Sequence, residues 1–305
     1  MKVEFGYSPP VGDRDFERID PRTFIGDLTA ALRVASTGFT SVWISDHLMF
    51  ERKIRLECWT LLTWIAAQHP EFQLGTTVLA NSFRNPALLA KMASSLQYLS
   101  AGRFVLGYGA GWHEPEYTAY GYDFPNAPER IAMLAEGIQV VRSVWTKSPA
   151  DFEGKFYQVR GAYCEPAPDP VPPIMVGGVG EKYALRVVAE YADWWNVMPG
   201  LPPDVVRNKL TVLREHCRII GRDSSAIRKT MFLPVVINDS HQTAKRDAER
   251  LNPWDWALVG DHVSIIDQLQ EFREMGFDLF QLIFPNFPET DDMQLFMDKV
   301  LARFI

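Results

Sequence analysis

Cysteine is scarce in this chain. Its 305 residues hold three, Cys58, Cys164 and Cys217, an odd number set far apart. No C-x-x-C pair exists among them, so a thiol redox motif or a cysteine zinc site has no framework, and isolated thiols suit a reducing compartment. The six histidines (His47, His69, His113, His216, His241 and His262) are scattered, with no H-x-H or H-E-x-x-H spacing to hold a metal. Basic charge is also short: 31 Lys and Arg stand against 38 Asp and Glu, a formal net of −7. With no basic block, nucleic acid is not an expected partner. No apolar run is long enough to span a bilayer. The start, Met1 to Gly6, is too short and polar for a secretory leader. A G-x-S-x-G elbow is missing, which leaves serine hydrolase chemistry unsupported. These absences predict a cytoplasmic globular enzyme or binding protein without metal.

What is present is ordinary globular composition, 47% hydrophobic and 23% charged, arranged as an alternation. Short β-branched or aromatic runs read as strands over 3–7, 41–45, 73–79, 103–108, 173–176, 194–198, 231–237 and 279–284. Several are nearly continuous apolar runs, as parallel strands covered on both faces require. Between them lie helical stripes: Leu88, Met92, Leu96 and Leu99; Ile131, Leu134, Ile138, Val141 and Trp145; Ile25, Leu28 and Leu32; and Met293, Phe296, Met297, Val300 and Leu301. Eight strands, each followed by a helix, predict one (β/α)₈ TIM-barrel domain over 1–305. Long insertions follow the fourth strand (109–128) and precede the fifth, the latter with a hairpin over 151–159 and a proline-rich stretch over 166–173. Residues 239–260 read as irregular, a possible lid.

Barrel active sites form at the C-terminal ends of the strands. Asp46-His47 falls there after the second strand. Such a His is suited to acid–base work near neutral pH, and a neighbouring carboxylate can hold its tautomer; the competing reading is a cap and a backbone hydrogen bond. After the fifth strand, Val176 leads into Gly177-Gly178-Val179-Gly180 and a helix expected over 181–191. Glycines there admit an anion to the backbone and to the first helical N–H groups, the alternative being a tight turn without ligand. After the fourth strand, Gly107-Tyr108-Gly109-Ala110-Gly111-Trp112 fails the dinucleotide pattern because Trp112 stands where glycine is needed. Its glycines still point to a flat ligand against bare backbone, or to a bend in the strand. Glu114 and Glu116 add two carboxylates to that insertion. Either one faces a substrate or both lie on a solvated loop.

The ordered set of segments 38–47, 74–117, 130–145, 152–159 and 172–197 resembles the bacterial luciferase-like oxidoreductases. That resemblance implies a (β/α)₈ barrel, usually a homodimer, binding FMN or its 5-deaza analogue, coenzyme F-420. Ser45-Asp46-His47 with Gly75-Thr76-Thr77-Val78-Leu79 is similar to the deazaflavin branch of glucose-6-phosphate and secondary-alcohol dehydrogenases. It implies His47 near the reactive carbon of the ring and Asp46 in support. It also implies Thr77-Val78 as a bulge with a non-proline cis bond behind the ring, and Ala110-Gly111-Trp112 with Val176-Gly177-Gly178 around the cofactor. Arg84, Lys91 and Lys182 are candidate cations for an acidic tail. Trp112 stands where the sugar-phosphate dehydrogenases carry glutamate, and Leu48, Met49 and Phe50 follow the His without their tryptophan, which argues against glucose-6-phosphate. The expected function is hydride transfer between coenzyme F-420 and a small organic substrate. An FMN monooxygenase, fed by a partner reductase and using dioxygen, and a non-catalytic flavin-binding homologue are the alternatives.

Overall fold

A computed structural model describes residues 2–12, 19–251 and 256–304. The strands are β1 (Glu4–Tyr7), β2 (Ser41–Ile44), β3 (Gln73–Thr76), β4 (Leu79–Ala80), β5 (Phe104–Gly109), β6 (Ala150–Glu153), β7 (Gln158–Ala162), β8 (Ile174–Gly177), β9 (Trp194–Val197), β10 (Arg228–Ile237), β11 (Leu258–Gly260) and β12 (Phe277–Ile283). The helices are α1 (Phe24–Ala35), α2 (Cys58–Gln68), α3 (Pro86–Leu99), α4 (Glu114–Ala119), α5 (Ala127–Thr146), α6 (Ala184–Tyr191), α7 (Pro203–Ile219), α8 (His241–Leu251), α9 (His262–Glu274) and α10 (Asp291–Lys299).

Eight parallel strands run β1–β2–β3–β5–β8–β9–β10–β12, and β12 pairs with β1 to close the ring. The expected barrel is therefore present, with all eight predicted strands in place. Closure leaves no sheet edge, and both faces of the strands are covered, which is why β5 is buried at every position. Inside the ring Trp43, Val105, Met175 and Leu279 pack together, with Val78 and Trp194 against them, so the lumen is a filled core. Each large apolar side chain buried this way contributes about 1.5–3 kcal/mol.

Four expectations need correction. The strand read over 73–79 is broken at Thr77-Val78, where the expected non-proline cis bond is present, and resumes as β4, which pairs with β5. The region 239–260 is not irregular: α8 and β11 occupy its described part, residues 252–255 lying outside it. The helix expected from 181 begins at Ala184 after a turn. In α3 the core face is Leu89, Ala90, Ala93, Ser94, Leu96 and Gln97, while Leu88 and Leu99 of the predicted stripe face outward. The hairpin read before the fifth strand is β6–β7. The stripes of α5 and of the closing helix are buried as expected, apart from half-buried Ile131.

Candidate active site

The chain after β2 turns directly into the mouth, carrying Asp46 and His47, both buried. They face different partners. Asp46 accepts from the Ala80 amide (2.9 Å) and from Arg84 at 2.8 and 3.1 Å, and Arg84 reaches on to Glu57. Burial acts to lower the pKa of Arg84, but Asp46 beside it outweighs this and raises it above the ordinary guanidinium range. The pair ties the end of β2 to the segment after β4. Asp46 is thus not the carboxylate that holds the His47 ring.

That carboxylate is Glu116. Its Oε1 lies 2.9 Å from His47 Nδ1, and its Oε2 accepts the Leu48 amide at 2.7 Å. Glu116 is only 1% exposed. The insertion after β5 delivers it because α4 is pinned by a second aromatic cluster. Tyr117 packs on Phe83 (4.7 Å between ring centres) and Phe124 (4.9 Å), and the Tyr122 hydroxyl donates to the Phe83 carbonyl. Burial pushes the Tyr117 hydroxyl up to about 12, keeping it a neutral packing element. Glu114, by contrast, is exposed. Of the two carboxylates left open by the sequence, one belongs to the site, and its partner is 69 positions away.

Around the His47 ring stand Phe50 (4.6 Å), Trp112 (5.5 Å, edge-on) and His113 (6.2 Å). Trp112 remains 50% exposed, so an aromatic face borders the mouth beside the acid–base candidate.

The floor of the mouth is the Thr77-Val78 bulge. Val78 projects between β5 and β8: a Cβ added at Gly109 or at Gly177 would come within 2.7 Å of its Cγ2. The glycine pattern of β5 therefore has an intramolecular reason. Gly109 makes room for Val78, and Gly111, at φ 73°, passes over the Tyr117 hydroxyl. Packing within the chain thus accounts for these glycines whether or not a ligand lies against them. The loop after β8 differs. Gly178 sits at φ 141°, only Ala184 approaches it, and the Val179 and Gly180 amides have no acceptor among the described residues. Open N–H groups just ahead of α6 suit an anion, worth about 0.3–1 kcal/mol when exposed.

Beneath the bulge lies a buried polar layer that sequence reading missed. The Thr77 hydroxyl donates to Gln281 Oε1 (2.9 Å), and Asn196 Nδ2 donates to Gln281 Oε1 and to Thr230 Oγ1 (2.9 Å each). These residues come from β9, β10 and β12, and inside apolar strands only their polarity marked them. Of the candidate tail cations, Arg84 is consumed by Asp46 and Glu57, and Lys91 donates to the Glu165 carbonyl. Lys182 lies over the Tyr183 ring at 5.1 Å, beside the glycine loop. Among the described residues no group of three or more His, Cys, Asp or Glu is placed to hold a metal.

A closed parallel barrel with a His–carboxylate pair and an anion-suited loop at its C-terminal mouth has the architecture of a (β/α)₈ enzyme. More particularly, residues 28–257 match the luciferase-like monooxygenase family, and the chain belongs to that family. Curated relatives bear the name F-420-dependent glucose-6-phosphate dehydrogenase. The one from Intrasporangium calvum is 34% identical over 325 residues, 94% of each chain. That from Amycolatopsis mediterranei is 33% identical over 85% of this chain and 78% of its own. The match to the Kineococcus radiotolerans enzyme, at 34%, spans 68% of this chain and 63% of that one. The fold recurs in an F-420-dependent secondary alcohol dehydrogenase bound to an F-420–acetone adduct (TM-score 0.83, 20% identity, 99% of both chains). It recurs also in EDTA monooxygenase from Chelativorans (TM-score 0.83, 16% identity, 100% of this chain and 93% of that one).

Proposed function

We propose that this chain is an oxidoreductase that uses coenzyme F-420 to move a hydride to or from a small organic substrate. The observation that carries the reading is the 34% identity, across 94% of the chain, to a relative named for that coenzyme. The residues at the mouth suit such a group. Val78 offers a convex apolar rest for a flat ring, and the glycine loop after β8 offers N–H groups to a phosphate-bearing tail with Lys182 nearby. Ala110, Gly111 and Trp112 would border the ring side, and Gly177 and Gly178 the tail, whereas the Val176 side chain expected there is fully buried in the core. When bound, the deazaflavin supplies a carbon that accepts or gives a hydride.

His47 handles the accompanying proton. When a substrate C–OH becomes C=O, the hydride leaves the carbon and the hydroxyl proton passes to the ring nitrogen of His47 turned away from Glu116; reduction runs the same transfer in reverse. Asp46 supports this through Arg84 and Ala80, by fixing the strand ends that carry His47. Trp112 and Phe50 shield the ring from water. We propose further that the enzyme works in the cytoplasm, consistent with three buried free thiols, as a homodimer, with a separate reductase or dehydrogenase recycling the coenzyme. No described helix is long and apolar enough to cross a membrane.

The deciding experiment is a pair of equilibrium titrations with oxidised F-420 and FMN at matched ionic strength. Turnover of secondary alcohols, aldehydes and sugar phosphates is then followed through the deazaflavin absorbance. Tighter F-420 binding is expected. Tighter FMN binding, with oxygen uptake when reduced flavin is supplied, would replace this reading with a monooxygenase.

A further inference from the structure

We infer that Glu116 is a positioning residue that sets the tautomer of His47, so that the insertion after β5 decides which ring nitrogen carries the proton. The inference rests on the reading that His47 handles the proton of the reaction. Both oxygens of Glu116 are committed. Oε2 takes the Leu48 N–H at 2.7 Å, and Oε1 lies 2.9 Å from His47 Nδ1. A carboxylate is acceptor-only, so the nitrogen facing it must carry hydrogen. Neutral His47 is then the Nδ1–H form, and its lone pair sits on Nε2. The carboxylate also stabilises the ring once Nε2 has taken up a proton, because the imidazolium keeps its Nδ1–H toward a negative partner.

The Leu48 amide makes this arrangement specific. It belongs to the residue next to His47, so one carboxylate grips both the ring and the backbone that carries it. It also dictates what a neutral isostere does. In Glu116→Gln only the amide oxygen can accept the Leu48 N–H, which directs the Nε2 amino group of the glutamine at His47 Nδ1. A donor at that place requires the lone pair on Nδ1 and drives the proton to Nε2. The variant has the same shape and the opposite tautomer. Burial of Glu116 and the packing of Tyr117 against Phe83 and Phe124 leave α4 little freedom to escape the conflict.

The test is ¹⁵N spectroscopy of histidine-labelled protein at a pH where His47 is neutral, with the resonance assigned by its loss in His47→Gln. Six histidines keep the spectrum sparse. In the unsubstituted protein Nδ1 of His47 is expected at the protonated, pyrrole-like position and Nε2 at the pyridine-like one. In Glu116→Gln the two exchange positions, turnover falls about 10²–10⁴-fold, and F-420 affinity stays within a few-fold. A pyridine-like Nδ1 in the unsubstituted protein overturns the inference outright, even if Glu116→Gln does not fold. An unchanged tautomer in a folded Glu116→Gln overturns it as well. Failure of the unsubstituted protein to bind F-420 counts against the coenzyme assignment alone, because the tautomer is read without any cofactor.

Discussion

Taking the charge from Asp46 leaves the Arg84 guanidinium buried against one remaining carboxylate, Glu57, which is itself part-exposed. Breaking a buried ion pair from one side typically costs about 3–5 kcal/mol. Asp46→Asn is therefore expected to lower the unfolding free energy by roughly that amount, measured by urea titration at neutral pH. A stability within ~0.5 kcal/mol of the parent would show that the pair carries no structural load. His47 should behave in the opposite way. Its ring sits between Glu116 and the aromatic faces of Phe50 and Trp112, and His47→Gln keeps a hydrogen-bonding side chain there. The expected outcome is turnover reduced about 10²–10⁴-fold with F-420 affinity and melting temperature nearly unchanged. Comparable loss of folding and activity in that variant would make His47 structural. Two residues adjacent in the chain are thus separated by what surrounds them. The dipeptide itself was legible in the sequence as a mouth feature, but the partner of each side chain was not, because Arg84 and Glu116 arrive from elements 38 and 69 positions on.

Elements were readable where apolar spacing is dense. The barrel strands carry near-continuous apolar runs, and α5 keeps its stripe, so both follow from pattern alone. The helix α8 escaped notice because it buries only Ala244 and Leu251 among eleven residues, leaving no stripe to detect. In α3 small and polar residues (Ala90, Ala93, Ser94 and Gln97) fill the inner face, and the larger Leu88 and Leu99 drew the reading to the wrong side. Charges on α8 also act on the start of α10. Asp292, in the first turn of α10, is raised from 3.8 to about 7, by burial first and then by Asp247 and Asp291, against the Ile237 amide and Arg250, which favour the carboxylate. In the unfolded chain Asp292 loses its proton near 3.8, while the folded chain keeps it to about 7. Stability from this group is therefore full below the lower value, declines through the interval, and is lowest above the upper one. Asp292→Asn mimics the protonated form and can still accept from Ile237. Its melting temperature should exceed the parent's at pH 8 and converge with it as the pH falls toward 4, as measured by scanning calorimetry across pH. A constant or inverted difference would place the charged form of Asp292 in a favourable site.

At the scale of the whole molecule, the closed eight-stranded ring has no free edge, so association by strand pairing is open only to short strands outside it, such as β11 and the β6–β7 hairpin, and helices are the other route. One helix is equipped for it. On α3 the positions 88, 92, 95 and 99 follow a spacing of four, three and four, which puts them on one face. Leu88 is 55% and Leu99 76% exposed, with Tyr98 alongside at 70%. Leu88, Met92 and Leu99 of this row, with Ser95 its polar member, make a mainly apolar outer face, of a kind that marks an interaction surface more readily than a solvated one. A two-fold pairing of copies of this chain would let each α3 cover its twin, since an isologous contact uses the same patch twice. Stable pairing needs about 800 Å² from each partner, so the flanking surface must join in. Sedimentation equilibrium is expected to return twice the 34.7 kDa chain mass, and Leu88→Glu combined with Leu99→Lys to shift the protein toward the single-chain value while its circular dichroism stays native. A parent protein that sediments at 34.7 kDa would leave the row as plain exposed surface, and a dimer untouched by the double substitution would move the interface to another face.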